Sequence, residues 1–296
     1  MNGVAILGYA SMDHVLALEG PPALGRTTHI TRRDATAWGR PGGAPYFVAR
    51  AMAAAGVPHP APVSWIGDDA DGAAYRAAVA RCGADDRGLA VIAGGRTPLT
   101  MMVYDPTGEC MCLYDALEHD TRAPIVTPAQ ADLIATARCV CLTVAPAQAT
   151  RAALTLCADT ARVAWVAKHD ARALSDDLLR AVAGRADIIF FSETEGPLVR
   201  EALAAAAPRA GRMLVETHGP RGAVLETADG RTTRPPVAAL RVDDPCGAGD
   251  TLAGGMLAHL LAHPHDPPGA LDAGIGAAFA LLKSRQKESR DEPFNG

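Results

Sequence analysis

Three small residues stand directly before an acid at the start of an apolar segment: Gly247-Ala248-Gly249, then Asp250. Gly247 and Gly249 reach backbone angles that other residues resist. The N–H groups of Gly247, Ala248 and Gly249 can therefore converge on one point at a helix N-terminus. Such a nest stabilises negative charge, helped by the helix dipole behind it. Asp250 would stand beside a transferring anionic group as a base. Asp243 and Asp244, just upstream, offer carboxylates to a magnesium–phosphate centre. On spacing alone, a plain tight turn with Asp250 capping the helix fits equally well.

The elements around this run support a crevice. Leu252, Met256, Leu257, Leu260 and Leu261 follow a period of about 3.6, which continues a helix from Asp250. Upstream, "GVAILGYASMD", "PVSWIGDD", "ARCVCLTVA", "RVAWVAKHD", "ADIIFFSE" and "RMLVETHG" are apolar runs with polar residues at their ends, separated by helical stretches. "GGAPYFVARAMAAAG" opens on Gly42-Gly43 and closes on Gly56 as a helix between glycine turns would. Strands buried on both faces and alternating with helices predict an α/β fold with a mostly parallel central sheet and helices on both sides. Ligands in such folds sit beyond the carboxyl ends of the strands. Thr217-His218-Gly219 ends one of those strands, and His218 reads as a surface residue. Residues 15–38 and 97–115 break the alternation, the second as a hairpin turning at Asp105-Pro-Thr-Gly108. They predict a small β lid inserted in two pieces into a core of residues 1–14, 39–96 and 116–296. The final "KSRQKESRDEPFNG" reads as a solvated tail.

Composition narrows the class. The 296 residues are 49% hydrophobic but only 4% aromatic, and suffice for one large core. A net charge of −5 without a basic patch argues against nucleic acid. No apolar run reaches the roughly 20 residues of a membrane span, and the first residues lack a signal-peptide pattern. Seven cysteines without framework spacing argue for reduced thiols and a cytoplasmic location. Cys110/Cys112 and Cys139/Cys141 lie in strand-like runs, where i and i+2 share a face, so packing is preferred over a metal site. A dinucleotide oxidoreductase is disfavoured, because the glycine run falls near the end of the chain rather than in a first βα turn.

Asp244-Pro-Cys-Gly-Ala-Gly-Asp250 resembles the signature of the ribokinase-like (PfkB) family of carbohydrate and nucleoside kinases. Gly42-Gly43 before a helix, Ile66-Gly-Asp-Asp-Ala-Asp-Gly72, Ser192-Glu-Thr-Glu195 and Thr217-x-Gly219 resemble further family stretches, so the likeness spans nearly the whole chain. It implies phosphoryl transfer from ATP, with Mg2+, to a hydroxymethyl group of a small sugar or nucleoside. In that likeness Asp250 is the base, and Gly247, Ala248 and Gly249 form the anion hole. Asp13, Gly42, Gly43 and Phe47 fall at the substrate. Thr217, Gly219, Asp244 and Ser192 fall on the nucleotide side, and Glu195 organises the metal through water. A homodimer pairing through the lid is also implied.

Plainer readings stand beside these. Asp13 also suits a loop cap, and Glu195 an acid in the first turn of a helix. Two positions depart from the family pattern: Phe47 stands where Asn is usual, and Ser192 replaces the Asn of Asn-x-x-Glu. Trp38, Tyr46 and Phe47 offer either a stacking surface for substrate or packing of the lid on the core. Lys168-His-Asp-Ala-Arg172 lies where many members carry Asp-x-Asn-x-Arg; Arg172 fits and Lys168 does not. These departures motivate an alternative, a catalytically inactive sugar- or nucleoside-binding relative.

Overall fold

The computed structural model describes residues 3–33, 38–117, 126–240, 242 and 244–288. Asp243 lies outside the described residues. Among the described residues, fourteen strands run in chain order as β1 (Gly3–Leu7), β2 (Ser11–Leu18), β3 (Ile30–Arg33), β4 (Arg40–Gly42), β5 (Ala61–Gly67), β6 (Leu89–Ile92), β7 (Leu99–Tyr104), β8 (Cys110–Asp115), β9 (Ala137–Leu142), β10 (Arg162–Val166), β11 (Ile188–Ser192), β12 (Met213–Thr217), β13 (Ala223–Thr227) and β14 (Gly230–Arg234). Nine of them form one sheet in the order β14-β13-β12-β11-β10-β9-β1-β5-β6. Pairing is parallel from β6 through β12 and antiparallel at β13 and β14.

Alternation along each strand divides the core into two layers. Val4 and Ile6 of β1 face one apolar cluster, which takes in Val48, Met52, Leu252 and Leu271. Ala5 and Leu7 face the other, with Ile134, Ala149, Leu178 and Val199. Helices thus cover both faces, which is why the strands read as continuous apolar runs. The helix Ala248–Ala262 is buried almost all round, from Thr251 to Ala258 and at Leu260. Small residues permit this: a Cβ on Gly254 would come within 2.6 Å of the Val48 carbonyl, on the helix Ala44–Ala54.

The second sheet has the order β3-β2-β7-β8, with β4 paired to β2. It begins at Ser11, so Asp13 stands on β2, upstream of the boundary at residue 15 expected from sequence, and β4 extends it past residue 38. The hairpin between β7 and β8 turns at Asp105, whose carboxylate accepts from the Thr107 amide and hydroxyl and from the Glu109 amide. The cysteine pairs differ in setting. Cys139 and Cys141 are core residues, as packing predicts, whereas Cys110 and Cys112 are exposed on β8. Of the charged C-terminal run expected to be a solvated tail, residues 283–288 instead continue the helix Pro267–Glu288, and Arg285 turns inward; residues 289–296 lie outside the described residues.

Candidate active site

The glycine run forms the mouth of the helix Ala248–Ala262. Gly247 is its N-cap, in the left-handed conformation at φ 73°. The Thr251 amide closes onto the Gly247 carbonyl at 2.9 Å. Among the described residues, the amides of Gly247, Gly249 and Asp250 have no acceptor. Gly249 is exposed, and a Cβ there would meet only open space. The Ala248 amide differs from expectation. It donates to the Pro245 carbonyl at 3.1 Å, so in this conformation it supports the turn instead of an anion.

Asp250 follows, with its Oδ1 shielded from solvent and unpartnered among the described residues. Burial pushes its carboxyl above the ordinary aspartate value, Lys168 pulls it back, and Glu195 adds to the rise. A shielded, unpaired carboxylate oxygen is poised to accept a proton or a hydroxyl hydrogen bond.

Glu195 and Ser192 come together at the end of β11. The Glu195 Oε2 accepts from the Ser192 amide at 3.0 Å and from the Ser192 hydroxyl. Glu195 Oε1 lies 3.6 Å from Lys168 Nζ, two residues past β10. Burial works against the Lys168 charge, but Asp250 and Glu195 outweigh it and hold the ammonium above its ordinary value. With 55% of the Lys168 side chain exposed, the pair contributes at most ~1 kcal/mol.

Thr217 and Gly219 line a cavity of about 450 Å³, whose far wall includes Ala248 and Gly249. Its remaining walls are apolar and came unannounced by the sequence: the segment Pro236–Leu240, and Ile275, Ala278, Phe279 and Leu282 from the last helix. Two prolines followed by an aperiodic apolar stretch were the only hint of the first. The volume and apolar lining suit a planar aromatic base, and the open amide of Gly249 lies at its edge. His218, expected at the surface, is only 19% exposed and pairs through Nδ1 with Glu193 at 3.0 Å.

On the other side of the turn lies a buried polar knot. Asp13 is 3% exposed. Its Oδ1 accepts from the Ser11 hydroxyl at 2.6 Å, and its Oδ2 from the Cys246 thiol at 3.6 Å. Burial raises its pKa, with the Ser11 bond and Arg40 opposing. Its carboxylate lies on Gly42, where a Cβ would fall 2.0 Å away; a Cβ on Gly43, at φ 78°, would meet the Tyr9 carbonyl at 2.3 Å. Both glycines are thus set by close approach.

Asp244, expected beside the nucleotide, is taken up by protein partners. Oδ1 accepts from the Tyr104 hydroxyl at 3.2 Å and the Cys246 amide at 3.1 Å. Oδ2 lies 2.5 Å from Arg40 and 3.3 Å from Arg285. Arg285 also donates to the carbonyls of Asp244 and Cys246, at 3.0 and 2.5 Å. Asp244 therefore fastens the small sheet, through Arg40 and Tyr104, to the turn. Nothing in a charged C-terminal run singled out Arg285.

Phe47, expected at the substrate, is instead 3% exposed. Its ring occupies the side of Gly247 where a Cβ would point, and Arg285 lies over that ring at 5.7 Å. The three aromatics do not form one surface. Trp38 packs edge-on to His14, Tyr46 sits between Phe47 and Tyr75, and only Phe47 meets the turn.

The residues present fit a nucleotide with magnesium. The described residues hold no group of three or more metal-ligating side chains, but magnesium commonly takes one carboxylate plus phosphates and water, and Glu195, close enough to Asp250 to raise its pKa, is a carboxylate of the kind required.

The family model described as pfkB family carbohydrate kinase matches residues 1–291. Among solved structures, a nucleoside kinase from Methanocaldococcus jannaschii, of the ribokinase family, aligns at TM-score 0.75 and 17% identity, covering 96% of this chain and 92% of its own. Arabidopsis thaliana ribokinase complexed with ribose and ATP aligns at TM-score 0.76 and 17% identity, covering 95% and 93%. An E. coli protein assigned as ribokinase II, in complex with ATP and Mg2+, aligns at 0.75 and 19%, covering 94% and 92%. At these identities the structural likeness shows a shared fold.

Proposed function

The chain belongs to the pfkB family of carbohydrate kinases, and from that premise we propose that it transfers the γ-phosphoryl group of ATP to a hydroxymethyl group of a small sugar or nucleoside. One observation carries the reading: Gly249, with its open amide, lines an apolar cavity that fits a base, and the next residue, Asp250, holds a shielded carboxylate oxygen without a partner among the described residues. Thr217 and Gly219 flank the base and sugar of the nucleotide. The amides of Gly247 and Gly249 receive the equatorial phosphoryl oxygens as charge spreads over them. Ala248 joins them if its amide leaves the Pro245 carbonyl. Asp250 accepts the proton of the acceptor hydroxyl as the oxygen attacks. Asp13 retains a lone pair on each oxygen for acceptor hydroxyls, with Gly42 and Gly43 giving it room. Glu195 and Ser192 would hold Mg2+ through water, and that ion supplies charge neutralisation across the phosphates.

No observation favours the catalytically inactive alternative, since both the base and the glycines are in place. We also infer a reducing cytoplasmic setting, supported by seven free cysteines; no described helix is long and apolar enough to cross a membrane. A homodimer through the small sheet is supported by β8, an edge strand whose residues are all exposed, Met111, Leu113 and Tyr114 included. Sedimentation of Leu113→Lys against wild type tests it; an unchanged monomer in both would end it.

The deciding experiment is Asp250→Asn with ATP, Mg2+ and a panel of sugars and nucleosides. Turnover should fall by about 10²–10⁴. Near-normal turnover by the variant would remove Asp250 from the base role. No product from any acceptor with wild type would remove the reaction.

A further inference from the structure

Lys168 has no part in the chemistry described so far, yet it is the side chain that pairs with Glu195 at the phosphoryl end of the cleft. Glu195 is pinned on its other oxygen by the amide and hydroxyl of Ser192. The lysine is therefore the mobile partner, with most of its side chain in solvent and a long 3.6 Å contact that a stronger anion can displace. Its position on the fold points the same way. It follows β10, the neighbour of the strand that ends in Ser192, at the carboxyl edge of the parallel sheet. Two carboxylates and a triphosphate cannot share this space without positive charge, and a flexible stem carrying a point charge is suited to following phosphate oxygens.

Resting on the kinase reading above, we propose that Lys168 is a phosphate-binding residue, whose ammonium exchanges Glu195 for the β- and γ-phosphoryl oxygens of the bound nucleotide. The exchange frees Glu195 Oε1 for the water shell of the metal at the moment the phosphates arrive. Lys168 and the open amides of Gly247 and Gly249 then address the same phosphoryl group. In the absence of nucleotide, Lys168 and a divalent ion compete for one carboxylate.

The test reads binding, so it does not depend on turnover. Titration calorimetry of ATP in EDTA, with no divalent ion, isolates the protein's own contribution to phosphate affinity, and adenosine serves as the phosphate-free control. Lys168→Met should weaken ATP binding about tenfold or more, with Lys168→Arg in between. Both variants should bind adenosine as wild type does. Freed of its resident cation, Glu195 in Lys168→Met should also bind Mn2+ more tightly without nucleotide, read by electron paramagnetic resonance. Three results overturn the assignment: unchanged ATP affinity in Lys168→Met, an equal loss for adenosine, or wild type that binds adenosine but not metal-free ATP. Wild type that binds neither ligand overturns the nucleotide reading itself, and the lysine's role with it.

Discussion

Replacing Gly247 by Ala should damage stability and turnover together, for two separable reasons. The φ of 73° at Gly247 imposes about 1–2 kcal/mol on any L-residue with a Cβ. The added methyl would also lie 2.6 Å from the Phe47 ring, against atoms close to its attachment point. That ring is 3% exposed and lies beneath Arg285, so it has little room to retreat, and overpacking adds roughly 1–3 kcal/mol. The sum, roughly 2–5 kcal/mol, should lower Tm by about 5–15 °C. Any tilt of the turn misaims the Gly247 and Gly249 amides, and the loss of one such donor reduces kcat by about 10²–10³. Phe47→Leu makes space for the methyl without altering the backbone requirement. A double-mutant cycle followed by thermal melts should therefore give a coupling of about 1–2 kcal/mol between the two positions. Additive melts across the cycle, or Gly247→Ala with wild-type Tm and kcat, would refute the packing argument.

Other outcomes can be checked on the same preparations. Arg285→Met leaves two turn carbonyls without their donor and Asp244 with one arginine, which should cost about 3 kcal/mol and lower Tm by roughly 6 °C; retention of wild-type Tm and kcat would show that the turn stands without it. Ala278→Trp should fill the apolar cavity and raise KM for ATP at least about tenfold while leaving KM for the acceptor unchanged, a split that steady-state kinetics resolves. Because burial raises the Asp250 carboxyl, the acid limb of kcat against pH should have its midpoint above the ordinary aspartate value of 3.8; a midpoint at or below that value contradicts the burial. The sign for stability follows from the same shifts: the folded-state values of Asp13 and Asp250 lie above their unfolded values. The protonated forms thus favour the fold below 3.8, and that contribution is lost as pH rises through the raised values. Asp13→Asn should flatten the slope in chemical denaturation across this range.

What the sequence disclosed was local. Glycines at both ends announced the helix Ala44–Ala54, and apolar runs announced β9 to β12, because each depends on neighbours within a turn or a strand. The hairpin of β7 and β8 was legible from Asp105-Pro-Thr-Gly108, whose turn closes on Asp105 itself. The helix mouth at Gly247 to Asp250 was legible because a left-handed cap calls for a glycine just before the apolar period begins. What stayed hidden joins distant parts of the chain. The bond from Arg40 to Asp244 spans 204 residues, and that from Arg285 to Asp244 only 41, from a run that looks wholly solvated. Phe47 has the composition of either a stacking platform or a core residue, and only its placement beneath Gly247 decides. The bond of the Ala248 amide to Pro245 was hidden for a related reason, since a three-residue motif does not reveal which of its donors the turn holds for itself.

The helix Ala44–Ala54 carries one more consequence. Its leading glycines make the bed for Asp13, and one turn further on its Phe47 ring bears against Gly247. Asp13 and the glycine turn, proposed above to receive the acceptor and the phosphate, are thereby gauged from a single rigid rod. A displacement of that rod would shift both reactants' berths in concert, keeping their separation while changing their distance from the base cavity. Tailoring this protein to a new acceptor is therefore better attempted on β2 and β7 than on the rod, where any gain at one berth would be felt at the other.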